Sequence, residues 1–215
     1  LTEAVESEGG KVILAAPSGL AAQNIDGMTI HSAFKLSVQR SKGPWTYEPL
    51  SHEAEKDLYS KVGTAKLIII DEVSMVSNTM MEFINRRLNS LQCTDDGNTV
   101  FGGMNVVVLG DLLQLPPVNA PYCFEAITPQ NYKRMMKGSV GIVQPPDLWG
   151  QFSYAELTEN MRQKGDGQYA DLLNRLRVGD TEGAMELLQG RVVKDAGSAD
   201  AQSIAKLLAR LESEG

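Results

Sequence analysis

The 215 residues suffice for one sizeable core or two small ones, and 42% hydrophobic with 22% charged residues excludes a wholly disordered or low-complexity chain. A formal net charge of −7 excludes coating of nucleic acid by bulk charge, although it leaves room for a local basic groove. Two cysteines without CxxC spacing, Cys93 and Cys123, argue against a disulfide framework or a zinc site, and no apolar run nears the roughly 18 residues that span a bilayer. With no secretory or lipidation signal visible, a soluble protein of a reducing compartment, with no membrane partner, is expected.

The opening LTEAVESEGG (1–10) reads as the tail of a helix closed by glycines, so the chain is expected to be a fragment. VILAA (12–16), bounded by Gly9-Gly10 and by Pro17-Ser18-Gly19, reads as a buried strand feeding a helix over 20–25. Ser18 and Gly19 place a hydroxyl and a backbone N–H near a helix N-terminus, where phosphate oxygens bind well; a plain capped turn is the alternative. His31 follows and takes no acid–base role. Between Asp26 and Glu48 there is no acidic residue, while Lys35, Arg40, Lys42 and Trp45 all occur there. Cations beside an aromatic suit a single strand, whose phosphates need charge and whose bases need a stacking face, but a solvated positive face has the same composition. Residues 48–66 read as a loop and an amphipathic helix.

LIIIDEVSM (67–75) is the centre of the reading. Four large apolar residues in a row predict a strand buried on both faces, the habit of parallel sheets, and its carboxyl end delivers two adjacent acids. Asp71 there can hold a magnesium ion bridging nucleotide phosphates, and Glu72 can orient and deprotonate an attacking water. Alternatively, Asp71 or Ser74 merely caps the helix beginning near Met75. That helix runs over 75–91 with its methionines in the core. MNVVVL (104–109) gives a third strand, ending in GDLLQLPPV (110–118), where Gln114 can touch a γ-phosphate and a neighbouring ligand at once and Pro116-Pro117 stiffens the exit. A second acid-free interval, 127–146, carries Lys133, Arg134 and Lys137. FSYAEL (152–157) reads as a fourth strand, placing Arg162 where it can neutralise charge on a transferring phosphoryl group. Two short helices flank RVGD (177–180), and an amphipathic helix falls over 204–211.

APSGLAAQNI (16–25) with TIHS (29–32), IDEVSM (70–75), GDLLQLPPV (110–118) and NMRQ (160–163) together resemble, in order, motifs Ia, II, III and IV of Pif1-family helicases. The resemblance implies an α/β fold, a RecA-like domain of the P-loop NTPase class with a parallel sheet and helices on both faces, incomplete at its N-terminus. Residues 1–191 would form this partial domain and 192–215 a helical extension. It implies ATP-driven 5′-to-3′ movement on single-stranded DNA and unwinding of a duplex or fork, in repair, recombination, telomere maintenance or a Helitron-type element. Asp71 would coordinate Mg²⁺, Glu72 activate water, Gln114 sense the γ-phosphate of ATP and Arg162 contact it. Ser18, Gly19, Asn24, His31 and Ser32 match the motif associated with the single strand. The compartment would be the nucleus or mitochondrion of a eukaryote, or the cytoplasm of a bacterium or viral host.

No GxxxxGK[ST] loop occurs in the 215 residues, nor do motifs V and VI, which the family carries on a second RecA-like domain. The expectation is that this chain alone neither binds ATP tightly nor hydrolyses it, while the full-length protein, with the second RecA-like domain as partner, does both. The rival readings are a non-catalytic helicase remnant or DNA-binding module, and a RecD-like or relaxase-type superfamily 1 helicase. An intact phosphate loop just upstream would favour the enzyme over the remnant. NMRQ and TIHS favour the Pif1 side over the RecD side.

Overall fold

A computed structural model describes residues 1–38, 45–94, 99–137, 144–159, 161 and 167–189. These fall into two compact units, one over Leu1–Glu156 and one over Leu157–Gly215.

In the first unit, helix α1 (Thr2–Ser7) ends at Gly9, whose φ of +74° suits a residue without a side chain, and leads into strand β1 (Val12–Ala16). Helix α2 (Gly19–Asn24) follows, then the two-residue strand β2 (Met28–Thr29) and the short helix α3 (Ile30–Ala33). Helix α4 (His52–Leu58) continues into a wider turn over Tyr59–Gly63 and delivers strand β3 (Leu67–Ile70). A 3₁₀ turn, Val73–Met75, separates β3 from the long helix α5 (Asn78–Gln92). Strand β4 (Val106–Val108) and helix α6 (Pro129–Met135) complete the unit's regular elements.

The four strands form one parallel sheet in the order β2-β1-β3-β4. All four residues of β3 are buried. Because successive strand residues point to opposite sides, this can happen only if both faces of the sheet are covered. Ile68 and Ile70 are fully buried with Phe34, Leu58, Phe83, Ile84 and Leu88, each side chain contributing roughly 1.5–3 kcal/mol by leaving water.

Two expectations are corrected. Residues 152–157 are not a strand: Phe152 packs at 5.8 Å from the rings of Phe101 and Trp149, and Tyr154 is 85% exposed with no sheet partner. The fourth strand is β2, too short for alternation to announce, added where Gly27 approaches β1 so closely that a Cβ would meet the Leu14 carbonyl oxygen at 2.7 Å. The cap of α5 is Ser77, whose Oγ accepts from Met80 N–H at 3.1 Å, rather than Asp71 or Ser74. The Ser74 hydroxyl is fully buried and has no hydrogen-bond partner among the described residues.

Helix α5 carries a buried charge. Glu82 is wholly buried and accepts from Tyr132 Oη of α6 at 2.8 Å, Arg86 Nε at 3.1 Å and Asn85 Nδ2 at 3.1 Å, so polar bonds pin α6 to α5. Burial pushes its carboxyl above the ordinary value of 4.5, against the opposing effect of these donors. A carboxyl that holds its proton to higher pH when folded stabilises the fold fully below its unfolded pKa and loses that contribution as pH rises through the raised value. In the wild type this group therefore lowers stability from about pH 4.5 upward, and Glu82→Gln should lack that component. The check is the unfolding free energy of both proteins against pH; a difference that stays constant across the window would remove Glu82 as its source.

In the second unit, helix α7 (Gly167–Arg177) packs on α8 (Thr181–Gln189) around Leu172 and Ala184, and Arg175 pairs with Asp171 at 3.1 Å and Asp180 at 3.0 Å. The two short helices flanking RVGD are therefore present, joined at Gly179 with φ +79°. The helix expected over 204–211 and the boundary at 191/192 lie outside the described residues.

Candidate functional site

Parallel strands aim all their carboxyl ends at one edge of the sheet. Register pairs Ala15 with Ile70 and Ile70 with Val108, so the residues that follow β1, β3 and β4 leave the sheet side by side. Ser18, Asp71 with Glu72, and the loop bearing Gln114 follow those three strands. Main-chain bonds tighten this edge. Asp71 N–H donates to Ala15 O at 2.9 Å, Leu109 N–H to Ile70 O at 2.8 Å and Val73 N–H to Leu109 O at 2.9 Å. The Asp71–Glu72 corner and the start of the Gln114 loop are thus bonded to each other through their backbones.

Glu72 sits in the left-handed region at φ 54°, ψ 47°, a conformation costing an L residue on the order of 1 kcal/mol or more that clusters at functional sites. Its carboxylate is half-buried and has no protein partner among the described residues. Asp71 Oδ1 accepts from Glu72 N–H at 2.9 Å, which orients the carboxylate and leaves Oδ2 unengaged among the described residues. Magnesium is ordinarily held by one or two carboxylates together with phosphates and water, and a half-buried Asp71 with one unengaged oxygen fits that demand. Among the described residues no group of three or more His, Cys, Asp or Glu stands together as a protein-only metal cage.

Asp111 organises the next loop: its Oδ1 accepts from Leu113 N–H at 3.1 Å and its carbonyl from Gln114 N–H at 2.9 Å. Gln114 is exposed with its amide without a protein partner among the described residues, and Leu113, Leu115 and Val118 around it are also exposed.

Ser18 Oγ accepts from Ala21 N–H at 3.2 Å as the cap of α2, so the plain cap reading holds for its lone pair, while Gly19 is exposed beside it. Thr29 pairs with Ala16 across the sheet, which brings α3, with His31 and Ser32, back to the same edge. Thr29 Oγ1 donates to Ser32 Oγ at 3.0 Å. Asn24 is not brought there. It closes α2, about 9 Å along the helix axis from the cap.

The basic interval is only partly available to a ligand. Lys35 Nζ is 2.7 Å from Asp57 and 3.2 Å from Ala54 O, so its charge is already met, and Asp57, paired also with Lys61 at 2.9 Å, is held below the usual carboxylate range by these two lysines. Arg40 and Lys42 lie outside the described residues, as does Arg162. His31 stacks on Trp45 at 5.7 Å between ring centres, Trp45 meets Phe83 edge-on at 4.8 Å, and burial lowers the His31 pKa. Sequence reading missed three polar residues that line one cleft with this tryptophan, Asn78 of α5, Asn131 of α6 and Asn119 of the loop before α6. An isolated asparagine gives no pattern, and the acid-free interval over 127–146, which contains Asn131 alone of the three, was the available signal.

Comparison with known proteins bears on the family and the fold. The sequence model of the family described as PIF1-like helicase matches residues 1–186. The ATP-dependent DNA helicase PIF1 of Candida albicans is 29% identical over 171 residues, covering 79% of this chain and 18% of the relative. The ATP-dependent DNA helicase RRM3 of Saccharomyces cerevisiae is 29% identical over 178 residues, covering 79% and 21%. Among solved structures, Bacteroides Pif1 bound to single-stranded DNA aligns at a TM-score of 0.64 with 27% identity, over 97% of this chain and 48% of that one. The Bacteroides enzyme in complex with ADP-AlF3 and single-stranded DNA aligns equally, at 0.64 and 27%, over 99% and 49%. The chain thus spans about a fifth of the curated relatives and under half of the solved chains. A family match over residues 1–186, a parallel sheet that aligns with the RecA-like Pif1 structures and the acids at that sheet's carboxyl edge together place this chain in the PIF1-like helicase family.

Proposed function

We propose that the chain is the part of an ATP-dependent 5′-to-3′ DNA helicase that couples nucleotide to single-stranded DNA. The observation that carries this reading is the direct backbone tie between the Asp71–Glu72 corner and the strand end leading to Gln114. In this reading Asp71 holds Mg²⁺ through Oδ2, and the ion when bound supplies charge neutralisation at the phosphate oxygens of ATP. Glu72 orients the attacking water and accepts its proton. Gln114, exposed and without a partner among the described residues, contacts the γ-phosphate through its amide. Arg162 supplies a cation to the same phosphate, a role worth roughly 10³–10⁵ in rate where it has been measured in GTPases. Ser18, Gly19, His31 and Ser32 meet the DNA strand at the same edge, with Asn24 outside that group. The exposed Leu113, Leu115 and Val118 suit coverage by a second RecA-like domain.

The isolated 215 residues are proposed to be inactive, because no GxxxxGK[ST] loop cradles the phosphates. The test compares ATPase activity, with and without single-stranded DNA, of this chain and of a full-length protein that contains it, with upstream phosphate loop and second domain in place. Stimulated hydrolysis in the full-length protein alone supports the whole reading. Turnover by the isolated chain overturns its inactivity, and a silent full-length protein favours a non-catalytic DNA-binding remnant.

A further inference from the structure

We infer that the cleft between the N-terminal end of α5, the segment over 119–127 and α6 receives one nucleotide of the single strand, extending the strand's path beyond His31. The inference rests on the DNA-facing reading above and adds a site to it.

The cleft has a volume of about 230 Å³ and is walled by Trp45, Thr79, Asn119, Ile127, Asn131 and Arg134, among others. That is below the roughly 300–1,000 Å³ of pockets for drug-sized ligands, a size that suits a single base with its sugar. Its deep polar groups are satisfied. Ser77 Oγ caps α5, Asn78 Nδ2 donates to Glu125 O at 3.1 Å, and Asn78 Oδ1 accepts from Thr79 Oγ1 at 3.3 Å. The groups at the mouth are not. The side chains of Asn119, Asn131 and Arg134 are exposed or at the rim and have no protein partner among the described residues. Two amides, each both donor and acceptor, match the edge of any base, and a guanidinium matches a phosphate. The Trp45 indole in the wall, with His31 stacked on it, gives the base an apolar contact that does not choose its sequence.

Local charge favours an anion. No acidic residue occurs from 127 to 146, the Glu125 carboxylate already accepts from Tyr122 N–H at 2.7 Å, and Glu48 faces Lys137 at 3.7 Å. The walls are also fixed before any ligand arrives. Trp45 Nε1 donates to Ser37 O at 3.0 Å, Tyr47 N–H to Met135 O at 2.8 Å, and the Glu82–Tyr132 bond locks α6 to α5. Binding therefore orders few side chains, which preserves affinity. Because Trp45 stacks directly on His31, a strand passing the histidine arrives at this cleft next.

The experiment titrates the 215-residue chain with a fluorescein-labelled thymidine oligonucleotide, reading anisotropy for wild type, Arg134→Glu, Asn131→Ala and His31→Ala. In parallel, Trp149→Phe leaves Trp45 as the sole tryptophan, and its emission is followed on adding unlabelled oligonucleotide. Expected are a loss of about fivefold or more in affinity for Arg134→Glu, a smaller loss for Asn131→Ala, and quenching of Trp45 that Arg134→Glu abolishes. Arg134 and Asn131 are exposed, so both variants should keep the fold. Wild-type affinity in Arg134→Glu beside a loss in His31→Ala overturns the cleft and leaves the DNA-facing reading intact. No binding by the wild-type chain overturns both.

Discussion

Glu72→Gln in a full-length protein containing this chain is expected to cut DNA-stimulated ATP hydrolysis by roughly 10²–10⁴-fold, the usual worth of a positioned general base. Single-stranded DNA affinity should stay within about twofold, since an amide keeps the shape and one acceptor of the carboxylate and loses only its basicity. The left-handed backbone at Glu72 is why the effect should be large. The chain holds a strained conformation at this residue, and no protein group among the described residues engages its carboxylate. Hydrolysis rate against ATP concentration, with DNA binding measured in parallel, separates the outcomes. Retention of more than about a tenth of the wild-type rate would assign the proton to another group.

A second large effect is expected at Gly110, on stability rather than chemistry. Its φ is +149°, and a Cβ placed there would lie 2.8 Å from Val73 N and 3.2 Å from Val73 Cγ1. Val73 N–H is the donor that ties the acidic corner to Leu109 O, so an added methyl group pushes directly on that bond. Backbone strain and overpacking together suggest that Gly110→Ala destabilises by on the order of 2–5 kcal/mol. Gly19→Ala is the control, because a Cβ there meets nothing within 4 Å, and it should fall within about 0.5 kcal/mol of wild type. Urea unfolding of the three proteins decides; equal midpoints for the two variants would show that the close approach at Gly110 is not sustained in solution.

The three longer strands were legible because β1, β3 and β4 are apolar runs that stop at polar punctuation. The acids were legible because a buried strand can end in charge only at an edge. What the letters did not carry is pairing between distant residues. Lys35 looks like a free cation in a basic interval until α4 brings Asp57 to it across 22 residues. Residues 152–157 have strand-like composition, but a strand also needs a neighbour, and Phe152 instead packs among Phe101 and Trp149. Strand β2 is only two residues long, and its existence depends on Gly27 admitting the chain beside Leu14. Asn24, carried by motif resemblance with its neighbours, parts from them because α2 is a rod that leads away from the edge where it starts. The Glu82 cluster was invisible for a related reason: one acidic residue in a helix looks solvent-facing until Tyr132 arrives from 50 residues later.

The link between the acidic corner and the Gln114 loop is made of peptide groups alone, with Val73 and Leu109 contributing nothing but N–H and C=O. Any residue other than proline can furnish those atoms at position 73. Descendants of this sequence are therefore free to exchange Gln114, or the side chains around it, without dismantling the backbone tie between the two loops.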